Sequence, residues 1–223
     1  MNQKYSISCA VLLICLPILA ACGSPSPTAT PTPLPTSSPT IPPPTPTLSP
    51  TATTVPEQIL DDFESPQTAW QPATVQIYTD SSATSVKLTK EHVTQGAQAL
   101  ELSFDKTDLP KAIFFILEPM DLSQVHILRF DIYNPDTASG VAIAFNTGPD
   151  RIWHESDTYV LSSGQQTVEF DLTQSIYKTA ATNWEFYASI ANLDSTQQFS
   201  IVLFPAQAGV VIVDNIRLIP VRP

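Results

Sequence analysis

Cysteine is scarce, and all of it lies in the first 22 residues: Cys9, Cys15 and Cys22. None follows, so the rest of the chain has neither disulfide nor thiol chemistry. Its stability must come from burial or from a bound metal. Glycine is also rare, at six residues, and no glycine-rich phosphate loop or Gly-x-Ser-x-Gly turn occurs. The three histidines, His92, His126 and His154, show no metal-ligand spacing. Basic residues number 10 against 21 acidic ones. That balance disfavours nucleic acid and anionic lipid surfaces as partners and suits a neutral ligand, a cation or plain solubility. No long amphipathic helix and no βαβ spacing is visible. No apolar run reaches the roughly 20 residues that a membrane span needs.

The N-terminal part of the chain carries its own signals. Lys4 is the only charge before an apolar run over residues 10–19, the pattern of an export signal. The run ends in Leu19-Ala-Ala-Cys22-Gly23, which resembles the lipobox of bacterial lipoproteins. That resemblance implies cleavage before Cys22 and a diacylglycerol on its sulfur. Residues 1–21 are thus expected to be a signal peptide, and Cys22 a membrane anchor with the remainder extracytoplasmic, on the cell membrane or outer surface. Residues 23–56 hold twelve prolines and no charge, with Thr, Ser and Ala making up most of the rest. Such a segment cannot bury a core. It reads as a spacer, which at about 3.1 Å per residue in polyproline II reaches on the order of 100 Å.

From Glu57 the pattern changes to short alternating stretches. Strands are expected over 58–64, 75–79, 85–89, 97–104, 111–117, 168–172, 200–204 and 210–218. The stretch over 111–117 is nearly all apolar and reads as a strand covered on both faces. Residues 173–192 are the least strand-like and have room for a helical turn. Trp70 reads as a core plug, while Trp184 and Tyr187 are assigned neither to the core nor to a site. At the centre stands LRFDIYNPDTASGVAIAFN, residues 128–146. Leu128, Phe130 and Ile132 alternate with Arg129, Asp131 and Tyr133; Val141, Ile143 and Phe145 alternate with Ala142, Ala144 and Asn146. Asn-Pro-Asp and Ser-Gly supply turn chemistry between them. The stretch reads as a hairpin with one core face and one open face. Nine or ten short strands, with residues 57–220 as one domain, argue for an all-β sandwich.

Several motifs then carry a resemblance: Ile59-Leu-Asp-Asp-Phe-Glu64, Trp70, Val93-Thr-Gln-Gly-Ala-Gln-Ala-Leu100, Leu128-Arg-Phe-Asp-Ile-Tyr-Asn134 and Val213-Asp-Asn-Ile-Arg-Leu218. Together they resemble the galactose-binding-like jelly rolls that serve as carbohydrate-binding modules on glucanases, xylanases and mannanases. Thr147-Gly-Pro-Asp-Arg-Ile-Trp-His-Glu155 is most similar to the mannan- and glucan-binding branches. The resemblance implies a structural Ca2+ joining the two ends of the domain. Glu64 and Asp214 would give carboxylates, Asp62 and Ala97 backbone carbonyls, and Thr94 a side-chain or backbone oxygen. Where Thr94 stands the family often has an acidic residue.

A sugar ring needs an aromatic platform and a few planar polar groups. By strand parity Arg129, Asp131, Tyr133 and Asn146 share the open face of the hairpin. The resemblance places Trp153 and Glu155 in a loop at the edge of that face, and Tyr159 is expected to close its far side. The expected function is non-catalytic binding of polysaccharide by a lipid-anchored surface protein. Carboxylate pairs such as Asp131 with Asp171 or Glu169 fall on a solvated face, where nothing raises a pKa for catalysis. The competing reading is a structural or protein-interaction module of the envelope. Two or more aromatics exposed along one groove favour sugar, and a flat apolar patch favours protein.

Overall fold

The computed structural model describes residues 56–73, 84–105 and 109–221. The signal segment, Cys22, the linker and the strand expected over 75–79 lie outside the described residues. The described residues form thirteen strands: β1 (Gln58–Asp61), β2 (Gln71–Pro72), β3 (Thr84–Thr89), β4 (Ala99–Phe104), β5 (Lys111–Met120), β6 (Val125–Asn134), β7 (Ala138–Thr147), β8 (Ile152–Ser156), β9 (Tyr159–Val160), β10 (Gly164–Asp171), β11 (Tyr177–Lys178), β12 (Thr196–Pro205) and β13 (Gly209–Pro220). They make two antiparallel sheets. Sheet I runs β10-β6-β13-β4-β3, with β1 also on β13. Sheet II runs β11-β8-β7-β12-β5-β2, with β9 on β7. The first strand lies beside the last, Gln58 opposite Leu218.

The core is built by the period-two residues. Leu128, Phe130, Ile132 and Val213 of sheet I, and Val141, Ile143, Phe145, Phe199 and Ile201 of sheet II, are all fully buried. Trp70 is 2% exposed. It stacks on Phe115 at 5.6 Å and meets Phe199 edge-on at 5.5 Å. Its indole N–H donates to Asp61 Oδ2 at 2.8 Å, so the plug is polar-satisfied as well as buried. His154 also faces the core, and neither of its ring nitrogens has a partner among the described residues. Burial pushes its pKa down, so the ring stays neutral. The stretch after β10 does contain a helical turn, a 3-10 turn at Ala180–Thr182.

Two expectations fail here. β5 is not covered on both faces, because Ile116 is 59% exposed. More important, β6 and β7 are not a hairpin: β6 lies in sheet I between β10 and β13, and β7 in sheet II beside β12, β8 and β9. The connection is an arch that carries the chain from one sheet to the other. Asn134 makes it. Its side-chain oxygen accepts from the N–H groups of Thr137 at 2.9 Å and Ala138 at 3.1 Å. Its amide nitrogen donates to the carbonyls of Ala138 at 2.8 Å and Ser162 at 3.2 Å. These bonds satisfy buried backbone groups that a hairpin ladder would otherwise have paired. Periodicity reports which side chains face the core, and it is the same for an arch and a hairpin.

Asn134→Ala strands several buried polar groups and is expected to cost about 3 kcal/mol. Equilibrium urea unfolding checks this, and a loss below about 1 kcal/mol would show that the arch does not depend on the amide.

Candidate carbohydrate-binding face

Because of the arch, the candidate residues point away from one another. Arg129, Asp131 and Tyr133 lie on the outer face of sheet I, whereas Asn146, Trp153 and Glu155 lie on the outer face of sheet II. No single groove contains both sets.

The sheet I set is a closed polar network. Asp131 is 8% exposed and has four donor groups within hydrogen-bond distance. Oδ1 accepts from Thr167 Oγ1 at 2.6 Å and Arg217 Nη2 at 3.0 Å. Oδ2 accepts from Asn215 Nδ2 at 3.2 Å and lies 2.9 Å from Thr94 Oγ1. Arg129 does not pair with Asp131; its guanidinium holds Glu169 at 2.6 Å and Glu57 at 3.1 Å. Tyr133 stacks face to face on His92, with ring centroids 3.3 Å apart. These groups hold the sheet together and leave no open platform. Tyr159, on β9, pairs in register with Val141 and so leans towards the core side of sheet II. Its ring meets Phe170 of sheet I at 6.3 Å, so it covers the seam between the sheets and closes no groove on an outer face.

Two of the residues named for a metal, Thr94 and Asp214, meet on the same face of sheet I, while Asp62, Glu64 and Ala97 lie in the turns outside its strands. The main chain of β13 bulges at Asn215, with φ of 53°, and this sets Asp214 opposite Asp131. Asp214 is 1% exposed. Its Oδ2 accepts from the N–H groups of Thr94 at 2.6 Å and Gln95 at 3.0 Å. Glu64 Oε1 grips the other end of the same turn, accepting from Ala97 N at 2.8 Å and Gln98 N at 2.9 Å. The glycine between, Gly96, has φ of 74°, and a Cβ there would meet the Glu64 carboxylate. Asp214 Oδ1 is buried without a partner among the described residues. The Thr94 hydroxyl has one proton, yet it lies within 3.0 Å of both Asp131 Oδ2 and Asp214 Oδ2. Arg217 neutralises Asp131, and no basic group pairs with Asp214 among the described residues. Glu64 Oε1 and Asp214 Oδ2 are thus taken up by backbone N–H groups, Asp214 Oδ1 alone is left for a cation, and among the described residues no group of three or more acidic, histidine or cysteine side chains could hold a metal. Thr94 contributes mainly by holding Asp214, since its hydroxyl is already committed.

Sheet II presents a different surface. Trp153 and Glu155 are on β8 itself and not in a loop. In register, Glu155 faces Ala144, Ala144 faces Ser200, and Ser200 faces Phe114. One step along, Trp153 faces Asn146, which faces Gln198, which faces Ile116. Small side chains on β7 and β12 therefore form a row with aromatic ones on β8 and β5 at its sides, and Ala142, Ala144, Ser200 and Val202 in that row are fully buried. Trp153, Phe114 and Phe204 pack against the buried cluster Ala73, Ala112, Ala142 and Val202. Glu155 is 2% exposed. Its Oε2 accepts the indole N–H of Trp153 at 3.1 Å. Its Oε1 pairs with Lys178 Nζ at 2.7 Å. Glu155 thus orients the indole and the lysine. Gln198 donates to Ser200 Oγ at 3.1 Å and accepts from Arg151 at 3.2 Å. A separate cavity of about 530 Å³ opens by Leu60, Gln67, Leu88 and Phe115, and none of its lining residues belongs to this face.

Sequence reasoning missed Phe114, Lys178, Gln198 and Ser200. The alternation Gln198-Phe-Ser-Ile carried the signal for two of them. Phe114 lay inside a wholly apolar run, where an outward aromatic looks like a core one.

With this geometry in place, solved structures supply a comparison. A family 11 carbohydrate-binding module of the cellulosomal cellulase Lic26A-Cel5E of Clostridium thermocellum matches with a TM-score of 0.56 at 18% identity, over 76% of this chain and 97% of the module. A family 11 module from the same organism, in complex with a beta-1,3-1,4-mixed-linked tetrasaccharide, gives 0.57 at 19% identity over 75% of this chain and 98% of the module. An exo-beta-agarase gives 0.52 at 16% identity over 74% of this chain but 25% of the enzyme. No protein-family model matches the sequence, and no curated protein matches it either. The fold is the jelly-roll β-sandwich of these carbohydrate-binding modules, as the sequence motifs implied.

Asp131→Ala leaves Arg217, the Asn215 amide and the Thr167 hydroxyl without their acceptor and is expected to cost about 3 kcal/mol. Arg129→Ala removes exposed pairs and should cost less than about 1 kcal/mol. Chemical denaturation of the two variants checks the ranking, and equal losses would contradict it.

Proposed function

We propose that the domain binds polysaccharide without catalysis, on the outer face of sheet II. The observation that carries this reading is Trp153 on β8, half-buried, with Asn146 and Gln198 in register beside it; Ala144 and Ser200 alongside are fully buried and give a ring no surface of their own. A pyranose ring offers an apolar C–H face to an aromatic and hydroxyls to planar polar groups. Trp153 is half-buried, packed on the alanine cluster and fixed by Glu155, so it loses little freedom when a ring stacks on it. Asn146 and Gln198 supply amides beside it. Glu155 has both carboxylate oxygens engaged, which suits a positioning group better than a general acid or base. The C. thermocellum module solved with a mixed-linked glucan tetrasaccharide supports a neutral glucan as the first ligand to try. The lipobox-like Cys22 and the proline-rich linker support a lipid-anchored domain held outside the cell.

Calcium belongs to the same proposal as a structural ion. Asp214 and Glu64 would supply carboxylate oxygens, and Asp62, Ala97 and Thr94 backbone carbonyls. The ion would neutralise Asp214 and tie the turn at 94–98 to both ends of the domain.

Affinity electrophoresis in gels containing mixed-linked β-glucan, xylan or galactomannan tests the binding. The full chain should be retarded by at least one polymer, and Trp153→Ala should weaken that retardation by tenfold or more, about 1.4 kcal/mol. Free migration in every gel would overturn the reading. For the metal, a site occupied at 100 times Kd adds about 2.7 kcal/mol. Chelator should therefore lower Tm by about 5–10 °C for a domain of this size, and Asp214→Asn should abolish that difference. Identical melting with chelator and with excess Ca2+ would exclude the ion.

A further inference from the structure

We propose that His154 makes the β8–β11 edge of sheet II an acid-sensitive latch, closed at neutral pH over Trp153 and Glu155 and opened in mild acid by release of residues 178–187. The latch rests on the carbohydrate reading above and adds its regulation.

Buried polar side chains nearly always have a hydrogen-bond partner. His154 is 2% exposed, and neither ring nitrogen has one among the described residues. It sits on β8 between Trp153 and Glu155, inward-facing and opposite Phe145 of β7. Its other neighbours are already committed. Ser156 Oγ accepts from Ile143 N at 3.0 Å and donates to the Asp157 carbonyl at 2.8 Å. On β11, Tyr177 donates its hydroxyl proton to the Asp171 carbonyl at 3.0 Å. Burial and the Asp171 charge keep that phenol protonated.

No charge faces the ring to balance an imidazolium. The inward side chains of β7, Ile143 and Phe145, and those of sheet I, such as Phe130 and Phe170, are apolar. Glu155 and Lys178 pair with each other on the opposite face of the edge. The Asp171 carboxylate is taken up by Thr173, Gln174 and His126, and Glu185 is exposed. Burial alone therefore pushes the pKa of His154 below its ordinary 6.5. The closed edge accepts only the neutral ring, whereas an opened edge lets it take a proton. The stability that this burial contributes is present above about pH 6.5 and falls as pH drops through that value, until the lowered pKa is reached. Within that window each pH unit multiplies the open-to-closed ratio by up to about tenfold.

The part most easily lost is the flap that β11 begins. β11 is two residues long, lies at the end of its sheet and meets β8 only through Tyr177–Ser156 and Lys178–Glu155. Continued by one residue, that register sets Thr179 beside His154, and Thr179 and Thr182 are both buried. Tyr177 and Ala188 exchange backbone hydrogen bonds at 2.9 and 2.8 Å, a base on which the flap can turn. Asn183 and Trp184 have consecutive positive φ of 53° and 65°, a strained pair that release would relax. Trp184, Phe186 and Tyr187 already stand exposed, so opening gives up little of their burial. Release also separates Lys178 from Glu155 Oε1, now 2.7 Å apart. Glu155 Oε2 accepts the Trp153 indole at 3.1 Å, so loss of the lysine disturbs the group that orients the tryptophan.

Hydrogen exchange of the full chain at pH 7.5, 6.5 and 5.5, corrected for intrinsic rates, reads the latch directly. At the amides of Thr179, Thr182 and Trp184 the opening ratio should rise at least fivefold between pH 6.5 and 5.5, with β6, β12 and β13 unchanged. His154→Phe and His154→Met, two apolar replacements of different shape, should abolish that rise. In the wild type, nuclear magnetic resonance should show the closed-state imidazole titrating below 6.5; titration at or above it would overturn the latch whatever the variants do. Retardation by the polysaccharide that binds at pH 7.5 should weaken at least threefold at pH 5.5, and in the variants should hold. Opening that ignores pH, or that rises equally in the variants, would overturn the latch and leave sugar binding intact. Protection lost equally in both sheets is general acid unfolding and would also overturn it. Retardation unchanged while the flap opens would break the link to binding. A flap that opens as expected in a chain no polysaccharide retards would overturn the carbohydrate reading instead.

Discussion

Everything in the layout of this domain depends on one buried amide. Asn134 satisfies the backbone of the turn after β6 and sends the chain into the opposite sheet. Without it, residues 128–146 would have the pattern of a two-stranded hairpin. With it, the outward side chains of β6 and β7 look in opposite directions, and the molecule acquires two outer faces with different chemistry.

The two faces divide the work. Sheet I spends its polar side chains on one another: Asp131 alone takes contacts from Thr94, Thr167, Asn215 and Arg217. Truncating one partner of such a set is expensive because it leaves the others buried and unpaired. A face so committed has little left to offer a ligand. Sheet II keeps its floor small and sets aromatic rings at the sides. Its one buried carboxylate, Glu155, is used to fix a tryptophan and a lysine. The fold thus concentrates electrostatic closure on the side that joins its two ends, and on the other sets Trp153 and Phe114, both half-buried, beside the fully buried Ala144 and Ser200.

Much of this was legible in the sequence. The period-two runs gave the strands and the core, Trp70 was recognisable as a plug, and the order of motifs carried the jelly roll. Trp153 was expected in a loop at the edge of the face that carries Asn146, and it stands instead on β8, opposite Asn146. Arg129, Asp131 and Tyr133 were put beside them because strand parity cannot tell an arch from a hairpin; the deciding bonds run from the Asn134 side chain to the backbone of Thr137, Ala138 and Ser162, and alternation does not report them. Tyr159 was misplaced for the same reason, since its partner Phe170 belongs to the other sheet. Phe114 was hidden by an apolar run. The loop at 183–187 gave no periodic signal, because left-handed residues and a 3-10 turn have none.

The central claim is that ligand meets sheet II and not sheet I. Amide chemical shifts recorded during titration with a neutral oligosaccharide test it directly. The account predicts changes at residues 142–146, 153–155 and 198–202 with residues 129–133 and 167–169 unmoved. Shifts centred on Arg129, Asp131 and Tyr133, with sheet II silent, would contradict it.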